Sequence, residues 1–171
     1  MEILSQIQKL TELGMSTIEK QRIINVSEVF HLWNHLTQRY FVVYITDLFE
    51  LFARDNDLLA ILSIGKKTLS DHVQILEKEM LKYGIPLPNR PPKQSQHIES
   101  MEEISDRHIY RRVLHGIQSF LPTHTMAIIH STSPKIRQLF ITFLTEEIKI
   151  YDKFLEYGKQ KGYLIEPPIY K

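Results

Sequence analysis

The sequence predicts an all-α protein. It should be an up-down four-helix bundle with a long crossover between the second and third helices, plus a short N-terminal helix. Three observations carry this. Apolar residues recur three and four apart through four long segments. One long stretch, residues 84–100, lacks any period and is rich in proline. No run reads as a strand. The expected division is an N-terminal helical extension over 1–25 and a bundle with an ordered C-terminal tail over 26–171.

In chain order, Ile3, Ile7 and Leu10 mark a short amphipathic helix that Gly14 interrupts, with a further turn from Ser16 to Arg22. This segment is expected to form a lid over the bundle, with a dimer contact as the other reading. The first long helix starts at an N-cap, Ser27, and runs to about Arg54. Its stripe is Val29, Leu32, Trp33, Leu36, Tyr40, Val43, Tyr44 and Leu51. Residues 41–45 are apolar on nearly every side, which places them centrally or at a subunit interface. The second helix follows the capping cluster Asp55-Asn56-Asp57 and ends at Gly84. Residues 84–100 exceed the usual 2–8 residues of a bundle turn. At roughly 3.3 Å per residue they reach about 50 Å, enough for a crossover along the bundle. The third helix is expected from about Met101 to His130, kinked or split at Pro122. The last begins at Ser133, with Pro134 in the first helical position, and frays at Gly158 or Gly162. Beyond it, residues 163–170 are apolar and proline-containing, and are expected to pack back on the body. Two hairpins joined by a crossover is the ferritin-like arrangement.

Composition narrows the function classes. The 171 residues carry 21 Lys+Arg against 20 Asp+Glu, a formal charge of +1, which gives no nucleic-acid footprint. There is no cysteine, so disulfides and thiolate chemistry are excluded. No segment approaches the roughly 20 apolar residues of a membrane span. The start, Met1 to Leu4, lacks the pattern of a signal peptide, so cytoplasmic synthesis is expected.

Four ionisable residues fall on or near apolar stripes: Asp47, His72, Asp106 and Glu147. In a crossover bundle they lie at depths where they can converge, and inward carboxylates and imidazoles hold paired iron or manganese in ferritin-like proteins. They are therefore the candidate metal ligands. The pattern is incomplete, because the only Glu-x-x-His is Glu28 to His31, which with His35 falls off the main stripe. His31, His35, His108 and His115 read as surface or interface residues. The bland alternative is that Asp47, His72, His124 and Glu147 pair with one another, with a tyrosine or with buried water. No phosphate loop or hydrolase motif is present, so no catalytic residue and no cofactor is predicted.

Val26-Ser27-Glu28-Val29-Phe30-His31-Leu32-Trp33, the stretch from Glu77 through Gly84-Ile85-Pro86-Leu87-Pro88, and the ending Lys161-Gly162-Tyr163-Leu164-Ile165-Glu166-Pro167-Pro168-Ile169 occur in that order. Together they resemble a Firmicute family of unknown function related to the spore coat F proteins. The resemblance covers about residues 26–170. It implies a ferritin-like bundle, a spore-coat or sporulation association and no known catalytic residues. The expectation is a non-enzymatic structural or interaction protein. It would form a homo-oligomer, a dimer, and contact other coat proteins, without nucleic acid or membrane. The rival expectation is a ferritin-like metal-binding protein or metal-dependent oxidoreductase.

Overall fold

The computed structural model describes residues 2–92 and 104–170. Its helices are α1 (Glu2–Glu12), α2 (Thr17–Gln21), α3 (Val26–Phe52), α4 (Asn56–Lys82), α5 (Asp106–His130) and α6 (Pro134–Lys161). Each long helix starts where the local chemistry favours a start. Asn25 and Glu28 form a reciprocal capping box on α3. Asp55, Ser105 and Ser133 cap α4, α5 and α6 through backbone amides of their first turns. Gly162, at φ 66°, takes the left-handed conformation that closes α6.

The helix α3 packs on α4 and α5, and α6 packs on α5 and α4, so α3 and α6 face each other across a diagonal. Contacts at the ends establish direction. Backbone amides of Arg54 and Asp55, after α3, reach Asp106 at the start of α5. Lys135, at the start of α6, pairs with Glu79 near the end of α4. The end of α4 and the start of α5 are therefore at opposite ends of the bundle. At 1.5 Å per residue α4 is about 40 Å long, so the connection between them has to traverse the bundle. The sequence-expected crossover topology follows, although residues 93–103 lie outside the described residues. Arg90, on the near side of the connection, stacks 4.8 Å over Tyr40 and pairs with Glu77.

The core is divided. One cluster joins Leu32, Leu36, Leu76, Met80, Phe140 and Phe143 near the start of α3. The other joins Leu58, Leu62, Ile109, Tyr110, Phe154 and Tyr157 near its end. Gly158 lies inside α6 and does not end it. A Cβ there would sit 1.9 Å from the Tyr110 hydroxyl, so only glycine lets that ring in.

Several expectations change. Trp33 is 42% exposed and Leu51 76% exposed, so neither belongs to the core. The period of α3 drifts away from the inward face by its last turn, and Leu51 follows it outward. As described, α5 begins at Asp106, and it continues unbroken through Pro122. The tail packs only at its start. Tyr163 and Leu164 lie against the second cluster, with amides bonded to Gly158 O at 2.8 and 3.2 Å. Ile169 and Tyr170 are 89% and 98% exposed.

The helix α1 packs on α6 and is fastened by charge. Lys135 is buried and its ammonium meets Glu12 of α1 and Glu79 of α4, while the Tyr83 hydroxyl donates to Glu12 at 2.9 Å. Burial would raise the Glu12 carboxyl, but the Lys135 contact outweighs it and holds it below the usual range. Removing the one cation would leave two buried carboxylates facing each other. Lys135→Met should therefore cost about 3–5 kcal/mol in urea unfolding and expose residues 2–15 to limited proteolysis. A loss under about 1 kcal/mol would show that the cluster is not a fastening.

Candidate functional site

Between the two core clusters, and along the α3–α5 side of the first, lies a layer of buried polar side chains. Arg39 on α3 is 1% exposed. Its Nη2 donates to Glu147 Oε2 of α6 at 2.6 Å and to His124 Nε2 of α5 at 3.1 Å. The same guanidinium stacks 4.1 Å from the centre of the Phe120 ring. Because His124 Nε2 accepts, its proton sits on Nδ1. His35 sits one turn before Arg39, 5.1 Å from the His124 ring and 4.6 Å from Phe140. Its Nδ1 donates to the His31 carbonyl at 2.7 Å, and that assigns its tautomer. His31 Nε2 then meets His130 Nδ1 at 3.0 Å. On the far side His72 stacks 4.0 Å over Phe143 and binds Glu146 at 2.6 Å.

The environment separates the charges. Burial opposes ionisation of Glu147, but the polar contact with His124 and the Arg39 charge outweigh it and hold its carboxyl at about 2. Burial pushes His35 down to about 3, helped by the neighbouring His124. His31, His72 and His124 are also pushed down, in each case mainly by burial. The layer is thus one ion pair among imidazoles held neutral.

The four residues expected as metal ligands do not come together. Asp47 is exposed and binds Lys66 at 3.0 Å, at the edge between α3 and α4. Asp106 accepts the amides of Arg54 and Asp55 at 2.8 and 3.1 Å, tying the first hairpin's turn to the second hairpin. Only His72 and Glu147 are buried, and each has the partner described above. Among the described residues no three His, Asp or Glu side chains gather as a metal group. Glu28, of the Glu-x-x-His pair, accepts the Ser133 amide at 2.6 Å and the Asn25 amide at 2.9 Å, so its carboxylate already serves two backbone donors.

His31 and His35 are buried, contrary to the surface expectation, whereas His108 and His115 are exposed. Arg39 is absent from the sequence-derived candidates. Its signal was its place three residues after Leu36 and four before Val43, on the apolar stripe itself.

Beside the polar layer is a cavity of about 440 Å³. Phe49 of α3, Ile61 and Leu62 of α4, Ile117 of α5 and Phe154 of α6 form much of its wall, and Arg39 and Glu147 close its inner end. Exposed Phe41 on α3 and His108, Arg112 and His115 on α5 also line it and mark its mouth.

The model of DUF3231, a protein family of unknown function, matches residues 13–171. The chain belongs to this family. No curated protein matches it. Among solved structures it is similar to a provisionally assigned spore coat protein from Bacillus halodurans, at 22% identity and a TM-score of 0.80, over 86% of this chain and 96% of that one. It is also similar to a conserved hypothetical protein from Mycobacterium tuberculosis, at 11% identity and a TM-score of 0.65, over 77% and 96% of the two chains. At these identities the likeness shows the helical-bundle fold. Among the described residues no helix is long and apolar enough to cross a membrane.

The neutral histidines give a pH dependence of definite sign. With folded values below the ordinary 6.5, their contribution is full above pH 6.5 and is lost as pH falls, because the unfolded chain takes up protons first. Glu147 acts in the same direction lower down, between about 4.5 and about 2. The melting temperature should drop from pH 7 to pH 5, with His35 alone contributing about 2 kcal/mol of lost stability between pH 6.5 and 5. His35→Met should shrink that drop. A melting temperature that is flat or rising toward pH 5 would contradict the neutral assignment.

Proposed function

We propose that this chain is a non-catalytic structural or interaction protein of the spore-coat type, made in the cytoplasm and built into the coat as a self-associating, ferritin-like bundle that also contacts other coat proteins. The observation that carries this reading is the likeness to the Bacillus halodurans protein, which spans 96% of that chain with a TM-score of 0.80. Two features of the molecule support it. Its inward and inter-helix carboxylates are engaged in holding helices together: Glu147 with Arg39, Asp106 and Glu28 with backbone amides, Glu12 and Glu79 with Lys135. Its first helix leaves Ile3, Leu4, Ile7 and Leu10 exposed, a short apolar face of the kind that self-association buries.

The test is location and timing. Immunoblots of purified, washed spores from the source organism should show the chain in the coat extract, and cells in vegetative growth should lack it. Presence in vegetative cells together with absence from spores would overturn the reading.

A further inference from the structure

We propose that the cavity beside Arg39 binds a single-chain anionic amphiphile, with its apolar chain in the cavity and its charged head at the α3–α5 mouth. This goes beyond a coat role and does not depend on it.

Four observations lead there. The space is of small-molecule size. At about 30 Å³ per water-sized unit, 440 Å³ corresponds to about 15 such units, the scale of one medium-length chain. The wall is formed largely by aliphatic and aromatic side chains from all four long helices, and an apolar chain loses nothing by leaving water for it.

Two glycines keep it open. Gly65 on α4 and Gly116 on α5 both line the cavity, and a Cβ at either would meet nothing within 4 Å. Glycine inside a helix is less stable than alanine, and no close neighbour demands it at either position. Glycine at these two positions adds no side chain to the wall, which leaves the space accessible.

Charge at the two ends sets the orientation. At the inner end Arg39 is already matched by Glu147. Its Nε is buried and has no partner among the described residues, which leaves one donor for a polar atom but no net charge. On the α3–α4 side Lys66, which also lines the cavity, is matched by Asp47 and Glu50. Arg112 makes no hydrogen bond or ion pair among the described residues, and it stands with His108 and His115 on the exposed side of α5. Among the described residues the unmatched positive charge is therefore at the mouth, where a carboxylate or phosphate head meets a guanidinium.

The experiment is calorimetric titration of the full chain with dodecanoate, with dodecanol and phosphatidylglycerol vesicles as separate arms. Dodecanoate should bind at one site with micromolar affinity, and dodecanol at least fivefold more weakly. Gly65→Leu and Gly116→Leu should each melt at or above the parent and weaken binding at least tenfold. Arg112→Glu, a surface change that leaves the core alone, should weaken dodecanoate at least fivefold and leave dodecanol unchanged. No saturable dodecanoate binding overturns the proposal, as does undiminished binding in either folded leucine variant. Equal affinity for dodecanoate and dodecanol, or no effect of Arg112→Glu, overturns the anionic head. Co-sedimentation with the vesicles without dodecanoate binding would reassign the site to a membrane surface and likewise overturn it.

Discussion

Arg39 and Glu147 belong to helices that lie diagonally across the bundle, and their side chains meet at 2.6 Å in the interior. Each charge is too costly to bury alone, so either the two coincide or the bundle is penalised by several kcal/mol. That requirement sets the relative height of α3 and α6, which pairwise helix packing leaves loose. It also explains why the core has two clusters, since a polar layer must fall between them. His124 accepts a second hydrogen bond from the same guanidinium, and Phe120 covers its face. Burial holds His31, His35 and His72 below the ordinary imidazole range, so Arg39 and Glu147 form the compensated pair of the layer.

The ends of the bundle obey a related logic. A carboxylate from each hairpin accepts backbone amides from the turn of the other: Asp106 from the turn after α3, Glu28 from the turn before α6. Such amides are orphaned by helix geometry and need an acceptor. By supplying it from the opposite hairpin, the chain converts a local need into a long-range tie. At the α4–α6 end Lys135 adds a third element, α1, through Glu12. The cavity lies toward the opposite end of the bundle from the Lys135 cluster.

Helix type and number, and the starts of α4 and α6, were legible in the sequence because caps and apolar periods are local; α3 is capped by Asn25 rather than the expected Ser27, and α5 by Ser105. The crossover was legible as well, because a 17-residue non-periodic run exceeds what a tight turn needs. Position within the stripe was harder. Asp47 lies four residues after Val43 and so looks buried, but by that turn the inward face of α3 has passed to Thr46, which is buried. Arg39 is on the true inward face, where a long cation is not expected. His31 and His35 follow the side of α3 that meets α5, a second face that a single-stripe reading misses. The tail departs from expectation for a different reason: its apolar composition does not by itself provide a partner, and only Tyr163 and Leu164 find one.

The most direct test of the diagonal clamp is a double-mutant cycle at Arg39 and Glu147, read by urea unfolding at pH 7. Arg39→Met and Glu147→Leu alone should each cost about 3–5 kcal/mol, because each strands a buried charge, while the double variant should recover most of that loss. Single losses below about 1 kcal/mol that simply add in the double variant would contradict the account.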